Sequence, residues 1–131
     1  MNIDAAAIRI ARPCTDLTAA ERFYVHGLGF DVLCRVTADG PGEHDLLMVG
    51  ARRAAWHLEF VHAAAKPAPT PEDLLVLYLG GPVDDELITR LEESGGTVVR
   101  QSAYWDSWGV TVQDPDGYRL VLSTRTWSNR S

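Results

Sequence analysis

The sequence predicts an α+β protein in which one β-α-β-β-β pattern runs twice. Three features of the 131 residues carry this reading. The order strand, helix, three strands is completed once, broken by a stretch rich in alanine and proline, and then repeated. The glycines that stop the two helices, Gly29 and Gly96, lie about 67 residues apart, and Gly50 and Gly117 sit in equivalent turns at the same offset. Near the end, two alternating segments flank Asp114-Pro115-Asp116-Gly117, a turn sequence between strands. Identity between the halves is low, so the repeat is one of structure.

Residues 6–12 alternate apolar and polar and then meet Pro13, which cannot donate to a ladder and so ends the strand or holds it at an edge. Asp16 is placed to cap a helix, and Thr18 with Glu21 has capping-box spacing. Leu17, Ala20, Phe23, Tyr24 and Leu28 form one helical stripe, which Gly27 and Gly29 bring to a stop. Residues 30–36, 44–49 and 55–62 read as strands, separated by a loop at 38–42 and a turn at 50–53. In the second half, residues 74–79 form a strand that Gly80-Gly81-Pro82 breaks. Residues 84–94 form a helix with Leu87, Ile88 and Leu91 on one face, stopped by Gly95 and Gly96. Residues 97–101 read as a strand and 102–107 as an aromatic loop. Two strands close the chain around a type I turn with Pro at the second position and Gly at the fourth.

The length suits a single domain with a real core. Apolar residues make up 46% and charged residues 23%, an ordinary balance for a globular protein. A net charge of -6 without a basic stripe argues against a nucleic-acid partner. No apolar run reaches the ~20 residues of a membrane span, and residues 1–4 lack the features of a signal peptide. Cys14 and Cys34 show no ligand spacing and read as free thiols of the cytoplasm.

The strand Ile8-Arg9-Ile10-Ala11-Arg12-Pro13, the following Asp16-Leu17, Phe23-Tyr24 and Gly27-Leu28-Gly29-Phe30, and the hairpin around Asp114-Pro115-Asp116-Gly117 resemble the vicinal oxygen chelate superfamily. That superfamily includes glyoxalase I, extradiol dioxygenases and bleomycin-binding proteins. The resemblance spans roughly residues 6–125. It implies one domain of two βαβββ modules (6–62 and 74–126, with a linker at 63–73) that form an eight-stranded curved mixed sheet with helices on its outer face. It also implies a homodimer.

In that family each module offers two side chains to a divalent ion, one from its first strand and one from its last. Carried over position by position, these fall on Arg9, seven residues before Asp16; on Glu59, within Leu58-Glu59-Phe60; on Val76; and on Val121, four residues after Gly117. A guanidinium stays protonated and does not bind a metal. Only Glu59 remains, and a single carboxylate does not hold a catalytic divalent ion against water. The resemblance then implies no resident cofactor. The alternative is a rebuilt site in which His57, two residues from Glu59 and on the same strand face, joins Glu59 and a further group such as His44 or His62 around Zn, Ni, Mn or Fe. His57 serves equally well as a hydrogen-bond partner, and His26 at a helix C-terminus suits the dipole.

If the mapping holds, Arg9 and Glu59 face the same hollow, and the guanidinium takes the seat of the metal. Such a pair is either purely structural or orients an anionic or carbonyl group of a ligand. Removing one charge from a buried pair typically costs ~3–5 kcal/mol. Tyr104-Trp105-Asp106-Ser107-Trp108 supplies aromatic surface for a planar ligand, with core packing as the alternative for Trp105 and Trp108. Tyr78 shares its parity with Val76, whereas Trp56 and Phe60 share the face opposite Glu59.

The expected function is metal-independent binding of an apolar or aromatic small molecule, as in antibiotic-sequestering relatives. The ligand contacts would be Arg9, His57, Glu59, Tyr78, Tyr104, Trp105 and Trp108. The alternative is a glyoxalase-, lyase- or isomerase-like enzyme, or one related to the dioxygenases, that uses Glu59 as base or metal ligand and Arg9 as electrophile. A third reading is a dimer without a ligand.

Overall fold

A computed structural model describes residues 1–130, and in it each half of the chain builds its own four-stranded mixed sheet. The first unit spans Met1–Pro67 and the second begins at Ala68.

In the first unit a short 3-10 turn, Ile3–Ala5, precedes β1 (Ile8–Pro13), α1 (Leu17–Glu21), β2 (Asp31–Val36), β3 (Asp45–Gly50) and β4 (Trp56–His62). The strand order is β1-β4-β3-β2, with β1 parallel to β4 and the other pairs antiparallel. Asp16 caps α1 by accepting from the amides of Thr18 at 2.9 Å and Ala19 at 3.3 Å. The helix does not stop after Glu21. It widens into a π-helical stretch, Arg22–Gly27, marked by the Leu28 amide donating to the Phe23 carbonyl at 2.9 Å. The widening fits a run of bulky side chains: Phe23 and Tyr24 are both fully buried, and Tyr24 packs 4.9 Å from the Phe60 ring. Gly29, at φ +97°, makes the left-handed exit.

Strand parity divides β4 cleanly. Leu58 and Phe60 are buried on the helix side, where Tyr24 meets Phe60, and His57 and Glu59 point to the opposite face. The pattern expected for Trp56 and Phe60 is therefore observed, with Trp56 edge-on to Phe30 at 5.8 Å. A bidentate pair from Arg35 to Glu21, at 2.7 and 3.1 Å, ties β2 to α1. The hydrogen bond from Arg35, aided by its charge, lowers the Glu21 pKa below its ordinary value against a smaller opposing effect of burial.

The second unit contains β5 (Leu74–Tyr78), α2 (Asp85–Glu93), β6 (Thr97–Val99), α3 (Ala103–Trp108), β7 (Gly109–Gln113) and β8 (Arg119–Ser123). Its order, β5-β8-β7-β6, repeats that of the first unit, with β5 parallel to β8. The turn is the one expected: the Gly117 amide donates to the Asp114 carbonyl at 3.0 Å, and Asp114 Oδ1 accepts from the amides of Asp116 and Tyr118.

One sequence expectation is corrected. Residues 102–107 are not a loop, because α3 begins there. Ser102 supplies its N-cap, and Ser107 Oγ donates back to the Ala103 carbonyl at 2.6 Å. Asp106 Oδ1 also accepts from the Gln101 amide at 3.0 Å, which takes that amide off the sheet and ends β6 at Val99, short of the expected 101. Aromatic density masked the helix, since Tyr and Trp lean toward strand in isolation. The entry from α3 into β7 requires Gly109, where a Cβ would collide with the Leu122 carbonyl.

Two outcomes follow for stability. Leu58→Ala removes a fully buried side chain and should cost about 3 kcal/mol in urea denaturation, as is usual for a leucine cavity. The folded-state pKa of Glu21 lies below its unfolded value. Its pair with Arg35 therefore contributes stability above the unfolded pKa, and this is lost as pH falls through the folded one. The stability difference between wild type and Glu21→Gln should be present at neutral pH and shrink toward zero in acid. It should also weaken with added salt, because Arg35 is exposed.

Candidate functional site

The parallel register of β1 on β4 sets the site. Arg9 lies opposite His57, and Ala11 lies opposite Glu59. Arg9 is thus one rung away from Glu59 on the same face. Its Nε donates to His57 Nε2 at 3.0 Å, and its Nη1 approaches Glu59 Oε2 at 3.4 Å. A guanidinium has no acceptor, so His57 Nε2 must present its lone pair. In this geometry the imidazole is neutral with its proton on Nδ1. The Arg9 side chain is 52% exposed and that of Glu59 is 13% exposed.

This corrects the expectation of a buried ion pair. Glu59 is largely enclosed but Arg9 is not, so the pair is nearer the solvent-screened class worth ~0–1 kcal/mol than the buried class. The cost of separating it falls on the carboxylate alone.

The residues do not fit a chelated divalent ion. Arg9 and His57 are bonded to each other, and Val76 and Val121 pair across β5 and β8 with no donor atom. The register also adjusts the count made from glycine spacing. Val76 stands opposite Val121 as Ala11 stands opposite Glu59, so the counterpart of Arg9 is Leu74, another apolar side chain. Among the described residues, no three His, Cys, Asp or Glu side chains gather where they could hold a metal ion. His62 is turned to the helix side, its Nδ1 3.2 Å from the Cys14 carbonyl, and His44 lies in the loop before β3.

The remaining expected contacts belong to the second unit. Tyr78 ends β5 and lies nearly parallel to Trp127, with ring centroids 6.1 Å apart. Tyr104 and Trp105 meet edge to face at 5.0 Å. Trp108 is covered on one side by the Arg125 guanidinium at 4.5 Å, a cation–π contact. Neither Trp105 nor Trp108 is fully buried. Sequence reasoning did not place Trp127 and did not single out Arg125. Their positions follow from the segment after β8, where the Gly80 amide donates to the Arg125 carbonyl at 3.0 Å and Thr124 binds the Trp108 carbonyl.

Family models for the YycE-like N-terminal domain and the YycE-like C-terminal domain match residues 8–61 and 72–124. The chain is similar to the uncharacterized protein YycE of Bacillus subtilis (strain 168), with 37% identity over 126 residues covering 92% of this chain and 89% of the relative. Among solved structures it is similar to a YycE protein of unknown function from Bacillus subtilis, with a TM-score of 0.85, 33% identity, and 97% and 95% of the two chains covered. It is also similar to TnmS3, an antibiotic binding protein from Streptomyces sp. CB03234, with a TM-score of 0.62, 29% identity, and 96% and 99% covered. More distant glyoxalase and fosfomycin resistance structures share the fold alone. The duplicated βαβββ fold and these matches together place the chain in the YycE-like family, within the vicinal oxygen chelate superfamily.

Proposed function

We propose that the protein binds a small, mostly apolar or aromatic molecule without a metal, on the face where Arg9, His57 and Glu59 meet. The observation that carries this reading is the Arg9 guanidinium, bonded to His57 at 3.0 Å and 3.4 Å from Glu59. It supplies a fixed positive charge and spare N–H donors at a position where chelating relatives put a ligand to the ion. Within the second unit, taken by itself, Tyr78, Tyr104, Trp105 and Trp108 are the proposed aromatic contacts for a planar molecule. The name of TnmS3 as an antibiotic binding protein supports sequestration of a drug-like compound as the use of such a site. A cytoplasmic homodimer completes the proposal, with the dimer to be read by light scattering.

A second reading rests on Glu59 itself. A largely enclosed carboxylate beside a guanidinium is a usable general base with an electrophile at hand. If the protein turns over a substrate, Glu59→Gln should retain folding and binding while abolishing turnover.

The binding reading predicts that Ni, Zn, Mn or Fe(II) leaves the melting temperature at its buffer value. An ion present at 100 times its Kd would add about 2.7 kcal/mol and several degrees. Planar hydrophobic compounds should quench tryptophan fluorescence saturably. A large metal-induced rise, or metal retained through purification, would overturn the proposal.

A further inference from the structure

The Glu59 side chain is 13% exposed, and no protein group among the described residues makes a hydrogen bond to its carboxylate. Its one neighbour of opposite charge, Arg9 Nη1, lies at 3.4 Å without hydrogen-bond alignment. Its oxygens are not among the fully buried side-chain atoms left without a partner, so the carboxylate is an acceptor open to the surface. The same unit holds a control. Arg35 closes onto Glu21 through Nη1 and Nη2, a bidentate pair at 2.7 and 3.1 Å.

The difference lies in His57. The register sets Arg9 opposite His57, and Nε–H is committed to the imidazole at 3.0 Å. A guanidinium whose Nε edge is held cannot turn that edge to a carboxylate. Held there, Arg9 brings Nη1 to 3.4 Å from Glu59 and does not close onto it with Nη1 and Nη2 as Arg35 does on Glu21. What remains is an open donor on Arg9, whose outer N–H groups reach solvent, beside an open acceptor on Glu59.

We propose that this adjacent donor and acceptor read a neutral ligand edge carrying one acceptor and one N–H or O–H donor, such as a primary amide, a lactam or a hydroxy-carbonyl on a planar ring. A ligand carboxylate would face Glu59, and a ligand amidine would face Arg9. Each would meet like charge at close range. His57 is a positioning residue in this arrangement. The inference rests on the binding function proposed above and specifies the ligand group that the site selects.

Three planar probes of one shape separate the cases: benzamide, benzoate and benzamidine, titrated against the whole chain by ligand-observed NMR. Benzamide should bind about tenfold tighter than either charged probe, the ratio expected for one satisfied hydrogen bond to a charged group. His57→Leu, which frees Nε, should weaken benzamide about tenfold by the same measure while leaving the melting temperature unchanged or higher. His57→Gln retains an acceptor and should restore binding. The 15N shifts of His57 should report the Nδ1–H tautomer, and Arg9→Ala should change them. Preference for benzoate, binding of none of the three, or unaltered benzamide affinity in His57→Leu would each overturn the inference. If planar hydrophobes still quench tryptophan while benzamide has no advantage, only the ligand-edge assignment falls. If quenching is absent too, the binding function falls with it.

Discussion

The stagger between β1 and β4 is the constraint on which the site depends. A parallel pair fixes which side chains share a rung, and here the rungs are Arg9 with His57 and Ala11 with Glu59. The guanidinium therefore meets the imidazole squarely and the carboxylate only at an angle. A shift of one residue would send Arg9 to the helix side, among Leu58 and Phe60. Burial of those two side chains fixes which face of β4 His57 and Glu59 occupy: turning that strand over would expose apolar groups worth roughly 1.5–3 kcal/mol each. Packing on one face thus sets the chemistry of the other.

The two units carry the same topology to different ends. In the first, the face away from Leu58 and Phe60 carries charge and an imidazole. In the second, the equivalent row is Val76, Val121 and Thr111, with Val121 and Thr111 fully buried. The two units share strand order and parallel pairing, while the side chains on the corresponding rows differ. Membership of the superfamily follows from the backbone, and chemistry has to be argued from the particular residues.

Much of this was legible in the sequence. Period-two alternation put Glu59 and His57 on one face, Asp16 announced the first helix, and Asp114-Pro115-Asp116-Gly117 announced the last hairpin, because each depends on neighbours a few positions away. The rest depends on packing between distant segments. Nothing local in residues 22–27 signals a π-helical stretch, which answers to the fit of Phe23 and Tyr24 against Phe60. The α3 helix was hidden by its aromatic content. Parity paired Arg9 with Glu59, but that the guanidinium bonds first to His57 is decided by the stagger of two strands some fifty residues apart, which periodicity does not encode. For the same reason glycine spacing led to Val76 where the register leads to Leu74.

The proposed function requires that the Arg9 guanidinium occupy the position of a metal ligand and that Glu59 serve a ligand and not an ion. The most direct measurement is an anomalous difference map from crystals grown with millimolar Mn(II). The account predicts guanidinium density against His57 and no anomalous peak near Glu59. A peak within about 2.2 Å of a Glu59 oxygen, the range for a coordinated transition metal, with Arg9 swung away from the face, would contradict it.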